Sequence, residues 1–169
     1  MGSVAIFWMQ LLASCGVFSL VAAWYVWPAL IKIPLNAALT LLLFVHVPRY
    51  VGMTELVPGM IDPKLPSVFT SPAAYGDLIE AALALAAIFA LRGKWRGATP
   101  LVWVANTWGF LDLLNGVRGV LQLDVPSFNL ATLWYIYTFY APLVLISHLM
   151  IFGVLIKSRS WGNSALAIA

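Results

Sequence analysis

The chain has 169 residues, of which 63% are hydrophobic and 9% charged, with a formal net charge of +3. A soluble domain carries roughly a quarter charged residues, so this chain lacks the polar residues to cover a water-facing surface, and it has no Lys/Arg cluster of the kind that binds nucleic acid. Cys15 is the only cysteine, which excludes an internal disulfide and a cysteine-based metal site.

A mean hydropathy of +0.95 and eight Trp, nine Phe and six Tyr point instead to a bilayer, where amphipathic rings collect at the interfaces. A crossing helix needs about 20 mostly apolar residues. The first such run is 3–30, ending in Trp24, Tyr25, Trp27 and Pro28. It lacks the basic start and small-residue cleavage site of a secretory signal. After Lys32 and Pro34 the second run covers 35–57 and contains His46, Pro48 and Arg49. The stretch from Pro58 to Gly76 holds Pro58, Pro63, Pro66 and Pro72. Prolines at that density break a helix interior, so this is expected to be the longest loop. Three further helices are expected over 75–91, 101–123 and 129–156, followed by a short tail to Ala169. The fold class is therefore all-α: one transmembrane domain over 1–169, a polytopic bundle of five helices.

Orientation follows from the excess of Lys and Arg in cytoplasmic loops. Lys32, Arg92, Lys94, Arg96, Lys157 and Arg159 fall on one side of a five-span arrangement, and Lys64 falls on the other. The N-terminus is expected outside and the C-terminus in the cytoplasm, in a bacterial cytoplasmic membrane.

Titratable groups near the bilayer centre cost at least about 2.5–3.5 kcal/mol each and default to functional roles. Counting a 1.5 Å rise per residue from the cytoplasmic ends puts His46 and Asp112 at ~18 Å and His148 at ~13 Å. Both histidines of the chain thus lie near mid-membrane. Arg49, Asn115, Arg118, Glu80 and Asp77 stack outward from them. With α-helical spacing, His46, Arg49, Tyr50 and Met53 share one face, as do Trp108, Asp112, Asn115 and Gly119. Arg49 and Arg118 are the natural counter-ions for Asp112, Glu80 or Asp77, whereas Glu55 and Asp77 by themselves read as groups at headgroup level. Pro48 and Pro142 remove backbone bonds and free the carbonyls of Phe44 and Thr138. The expectation is an outward-opening polar pocket built from His46, Arg49, Tyr50, Glu80, Trp108, Asp112, Asn115, Arg118 and His148.

Three uses fit such a pocket. The first is a lipid-like molecule, a sterol, isoprenoid or quinone, with its polar end on these groups and its tail between helices. A carboxyl near a histidine would also allow acid–base chemistry, though whether the chain is an enzyme stays open. The second is a b-type haem held by His46 and His148. The third is passage of a proton or small solute along the polar stack. A zinc site from the histidines and Asp112 matches no established metal spacing, so no metal other than haem iron is expected. The partners are the bilayer, a hydrophobic small molecule and, in an oligomer, another subunit.

His46-Val47-Pro48-Arg49-Tyr50-Val51-Gly52, Pro72-Ala73-Ala74-Tyr75-Gly76-Asp77-Leu78, Trp108-Gly109-Phe110-Leu111-Asp112-Leu113 and Ser147-His148-Leu149-Met150-Ile151-Phe152 resemble segments of a group of bacterial five-helix membrane proteins without an established activity. Val57-Pro58, Lys94-Trp95-Arg96 and Tyr140-Ala141-Pro142-Leu143 are similar to parts of the emopamil-binding and sigma-two receptor family. That resemblance implies a sterol-binding or sterol-isomerising bundle with acidic residues in a membrane pocket, for which Glu55 and Glu80 are the matching positions.

Overall fold

The computed structural model describes residues 2–166, with side chains up to residue 158. The Arg159 side chain and residues 167–169 of the expected tail lie outside the described residues. The molecule is all-helical, with no strand among the described residues. Helix α1 runs Ser3–Val21, widens into a π turn at Ala22–Val26 and ends as Trp27–Leu30. Helix α2 is α-helical over Leu35–Leu43 and 3-10 over Val47–Leu56. Helix α3 spans Ser67–Arg92 and α4 spans Ala98–Gln122. A 3-10 turn at Val125–Ser127 leads to α5, which starts at Leu133–Tyr135, passes a π turn at Ile136–Tyr140 and continues as Ala141–Leu166. Four stretches are long and apolar enough to cross a membrane: Ser3–Leu30, Leu35–Leu56, Ser67–Arg92 and Leu133–Ser158.

Prolines explain most departures from the expected boundaries. Helix α3 begins at Ser67, eight residues before the expected start at 75, and takes in Pro72. A proline costs one i→i−4 bond, and in the second turn that loss falls where the helix has few bonds to lose. The loop is correspondingly short, and Asp62 pins it. Its carboxylate accepts the Lys64 N–H at 3.0 Å and the Asn129 N–H at 3.4 Å, and its own N–H donates to the Asn129 carbonyl at 3.0 Å. These bonds, the Lys64 one foremost, hold the Asp62 carboxyl below its ordinary pKa. Both π turns sit two residues before a proline, Pro28 and Pro142. Wider i→i+5 bonding absorbs the missing N–H without ending the helix.

Pro48 has the larger effect, since α2 changes there from α to 3-10. His46 N–H bonds the Leu43 carbonyl at 2.9 Å and Arg49 N–H the His46 carbonyl at 3.1 Å, both three residues back. The carbonyls this loosens are taken by α5 at Leu42 and Val45, on either side of the expected Phe44: Ser147 Oγ donates to Leu42 at 3.1 Å and Tyr140 Oη to Val45 at 2.7 Å.

Packing follows residue size. Buried Ala74, Ala81, Ala84, Ala87 and Ala90 on α3 let its neighbours approach closely. One apolar cluster, including Leu39, Leu43, Ile88, Leu91, Val102, Ile151 and Leu155, closes one end of the bundle. A second, around Phe7, Leu65, Val120, Val125, Leu130 and Leu133, closes the other. The polar residues lie in the layer between them.

Candidate functional site

A 3-10 helix has three residues per turn, so His46, Arg49, Gly52 and Glu55 line up along α2. All four are buried. The i+4 partner expected for His46, Tyr50, is 54% exposed and does not join the site. Trp108 is likewise turned outward, because the buried face of α4 runs through Val102, Ala105, Asn106 and Gly109.

Arg49 is the hub of the first of two polar groupings. Its Nε donates to Asp77 Oδ1 at 2.6 Å, its Nη2 to Asp112 Oδ2 at 2.7 Å and its Nη1 to the Gly109 carbonyl at 3.0 Å. One guanidinium thus ties α2, α3 and α4 together through charge-assisted bonds. Arg118, the alternative counter-ion, is exposed at the edge of the cavity instead.

Three glycines make room for the carboxylates. A Cβ on Gly52 would overlap the Asp77 carboxylate, one on Gly76 the Asp112 carboxylate and one on Gly109 the Glu80 carboxylate. The last two pairs are reciprocal: α3 seats an acid of α4 on a glycine, and α4 does the same for an acid of α3. Close helix approach and acid placement are therefore one feature of the packing.

The second grouping is His46, Glu80 and His148, each fully buried. The imidazole centroids are 4.2 Å apart, and His46 Nδ1 lies 3.7 Å from Glu80 Oε1. The other ring nitrogens are held from behind. His46 Nε2 is 3.1 Å from Ser147 Oγ, and His148 Nδ1 is 2.9 Å from Asn106 Oδ1, with Asn106 Nδ2 donating to the His148 carbonyl at 3.3 Å. One donor atom from each of the three residues lies within 4.8 Å of the others, so together they could hold a metal ion. The third member is Glu80, not Asp112.

A cavity of about 520 Å³ opens beside the Arg49 grouping and is lined by all five helices. Phe7, Leu11, Phe69, Val117, Val144 and Leu145 contribute apolar wall. Arg49, Asp77, Asp112 and Glu55 contribute charge, while Asn115 and Arg118 stand toward the α3 N-terminal end. Tyr137 Oη donates to Glu55 Oε1 at 2.7 Å, and Glu55 Oε2 has no hydrogen-bond partner. Of the nine expected site residues, Arg49, Asp112, Asn115 and Arg118 line this cavity. His46, Glu80 and His148 form the adjoining buried set, and Tyr50 and Trp108 belong to neither. Asp77 and Glu55, expected at headgroup level, belong to the site, as do Asn106, Ser147 and Tyr137. For Glu55 the signal in the sequence is the spacing of three that follows Pro48.

Residues 6–156 match the family model described as Domain of unknown function (DUF8737), and the chain belongs to that family. No curated protein and no solved structure matches the chain.

Proposed function

We propose that this member of the family is a five-span membrane protein that binds a lipid-like molecule, of the sterol or isoprenoid class, by a hydrogen-donating polar end. The cavity carries this reading. Its volume of about 520 Å³ falls within the roughly 300–1,000 Å³ of small-molecule sites, and its walls are mainly apolar with polar groups gathered at one end. Those groups select a donor. Arg49 already serves two carboxylates and a carbonyl, whereas Glu55 Oε2 is a buried acceptor with nothing to accept. A hydroxyl or amine fits that position better than a quinone carbonyl.

Five spans require α4 to cross as well. Its 25 residues measure roughly 37 Å at 1.5 Å per residue, and its Asn106 faces the histidine cluster while Asp112, Asn115 and Arg118 line the cavity. The distribution of Lys and Arg supports an arrangement with the N-terminus and the cavity end of the bundle outside.

The alternatives fit less well. Two imidazoles binding one iron from opposite sides, each nitrogen about 2 Å from the metal, place their ring centroids roughly 6 Å apart with a porphyrin between them. The observed 4.2 Å leaves no such slot. A through-path for ions would have to cross the closed cluster of Leu39, Leu43, Ile88, Ile151 and Leu155.

The test is photolabelling in membranes with a diazirine-bearing isoprenoid alcohol. Adducts are expected on Leu11, Phe69 and Leu145. Gly116 lines the cavity, and a Cβ there meets nothing within 4 Å. Gly116→Phe should therefore fill the space and abolish labelling while the protein stays folded. Labelling confined to the outer helix faces and unchanged by Gly116→Phe would overturn the reading.

A further inference from the structure

The hydrogen bonds around the two histidines fix which nitrogen of each carries a proton. Ser147 has one hydroxyl hydrogen and donates it to the Leu42 carbonyl, so its oxygen can only accept from His46 Nε2–H. That leaves His46 Nδ1 as a bare lone pair. Asn106 Oδ1 is likewise an acceptor, its amide nitrogen being turned to the His148 carbonyl. His148 Nδ1 must therefore be the donor, and Nε2 is the lone pair. Glu80 contributes two further acceptor oxygens. His46 Nδ1, His148 Nε2, Glu80 Oε1 and Glu80 Oε2 are all buried and all without a hydrogen-bond partner. The Gly109 carbonyl beside the His148 ring already accepts from Arg49 Nη1.

With Glu80 ionised, four acceptor atoms face one another with no donor among them. A buried acceptor left unpaired costs about 1–3 kcal/mol, and here the three side chains bearing them converge on one point. We infer that His46, Glu80 and His148 form a binding site for one divalent transition-metal ion, zinc or iron(II). Two imidazoles and one carboxylate suit those ions, while Ca²⁺ and Mg²⁺ favour six or more oxygens. Donors at about 2.0–2.1 Å from one ion stand roughly 3.4 Å apart. His46 Nδ1 and Glu80 Oε1, at 3.7 Å, are already near that spacing. The remaining donors, within 4.8 Å of one another, need to close by at most about 1.4 Å to reach that spacing. Ser147 and Asn106 act as positioning residues that fix each ring's tautomer and orientation. Gly109 gives the Glu80 carboxylate its place. None of the three ligands lines the cavity, so the metal site does not depend on the lipid-binding reading.

The probe is Co²⁺, added to tag-free, detergent-purified full chain after treatment with a chelator. About one Co²⁺ per chain is expected, with visible d–d absorption of a low-coordinate nitrogen–oxygen site and a raised melting temperature. His46→Leu and His148→Leu should each abolish the absorption. Ser147→Ala and Asn106→Ala touch no metal, and they should weaken Co²⁺ binding by about 10–100-fold while leaving the chelated protein folded. Elemental analysis of the untreated protein separates zinc from iron. Absence of Co²⁺ binding by the wild-type chain, or binding unchanged within twofold by Ser147→Ala and Asn106→Ala, would overturn the inference.

Discussion

Two buried polar groupings lie side by side in this bundle, and they differ in how their hydrogen bonds are completed. Around Arg49 every named donor meets an acceptor: two carboxylates and one carbonyl, with distances of 2.6–3.0 Å. Around His46 and His148 the outward-facing nitrogens are satisfied and the inward-facing ones are not. Burial and residue type alone would not distinguish the two. The completed set holds helices together and forms the charged end of a cavity, while the incomplete set asks for a cation from outside the chain.

That comparison can be broken most severely at Arg49. Arg49→Leu strands Asp77 and Asp112 without their shared counter-ion, and losing one partner of a buried pair costs about 3–5 kcal/mol. The expected result is loss of most folded protein from detergent extracts, measured by size-exclusion chromatography and thermal melting. Asp77→Asn/Asp112→Asn added to Arg49→Leu should restore part of it.

A smaller effect, and one whose sign depends on conditions, is expected at Glu80. Glu80→Gln supplies an amide donor to the lone pair of His46. In chelator the melting temperature should therefore rise, by an amount corresponding to about 1 kcal/mol, since one orphaned acceptor gains a partner. With Co²⁺ present the order should reverse, because the amide binds the ion less well than the carboxylate. A fall in chelator would mean that Glu80 already has a donor there.

The smallest effect is expected at Tyr137→Phe. It removes one hydrogen bond to Glu55 and costs about 1 kcal/mol. It should leave Co²⁺ binding unchanged and alter isoprenoid labelling, which keeps the two sites experimentally separate.

Much of this was legible from residue types. An ionisable side chain inside a 20-residue apolar run has to be explained, so His46, Arg49, Glu80, Asp112 and His148 stood out at once. What misled was periodicity. Spacing by 3.6 put Tyr50 beside His46, whereas Pro48 tightens α2 to three residues per turn and brings Gly52 and Glu55 into line. A proline also suggested a loop where Pro72 is carried inside α3, because one missing bond near a helix start is easily tolerated. The identity of the third residue beside the histidines was not readable from one helix at a time. It depends on Gly109 of α4 leaving space for a carboxylate from α3, a relation between two chain segments that no local pattern encodes.

Helix α1 packs chiefly on α5 and on the turn before it, and the bond from Trp134 Nε1 to Gln10 Oε1 spans 124 residues. Helices α2, α3 and α4 find partners among their immediate neighbours, but α1 must wait in the lipid until the last span has been delivered. Long-range closures of this kind are slow steps, and segments that wait unpaired during synthesis are exposed to wrong partners. Because α1 supplies Phe7, Trp8 and Leu11 to the cavity, that wall is the last to be put in place, and a chaperone or a bound lipid arriving during insertion would meet the chamber while its side is still open.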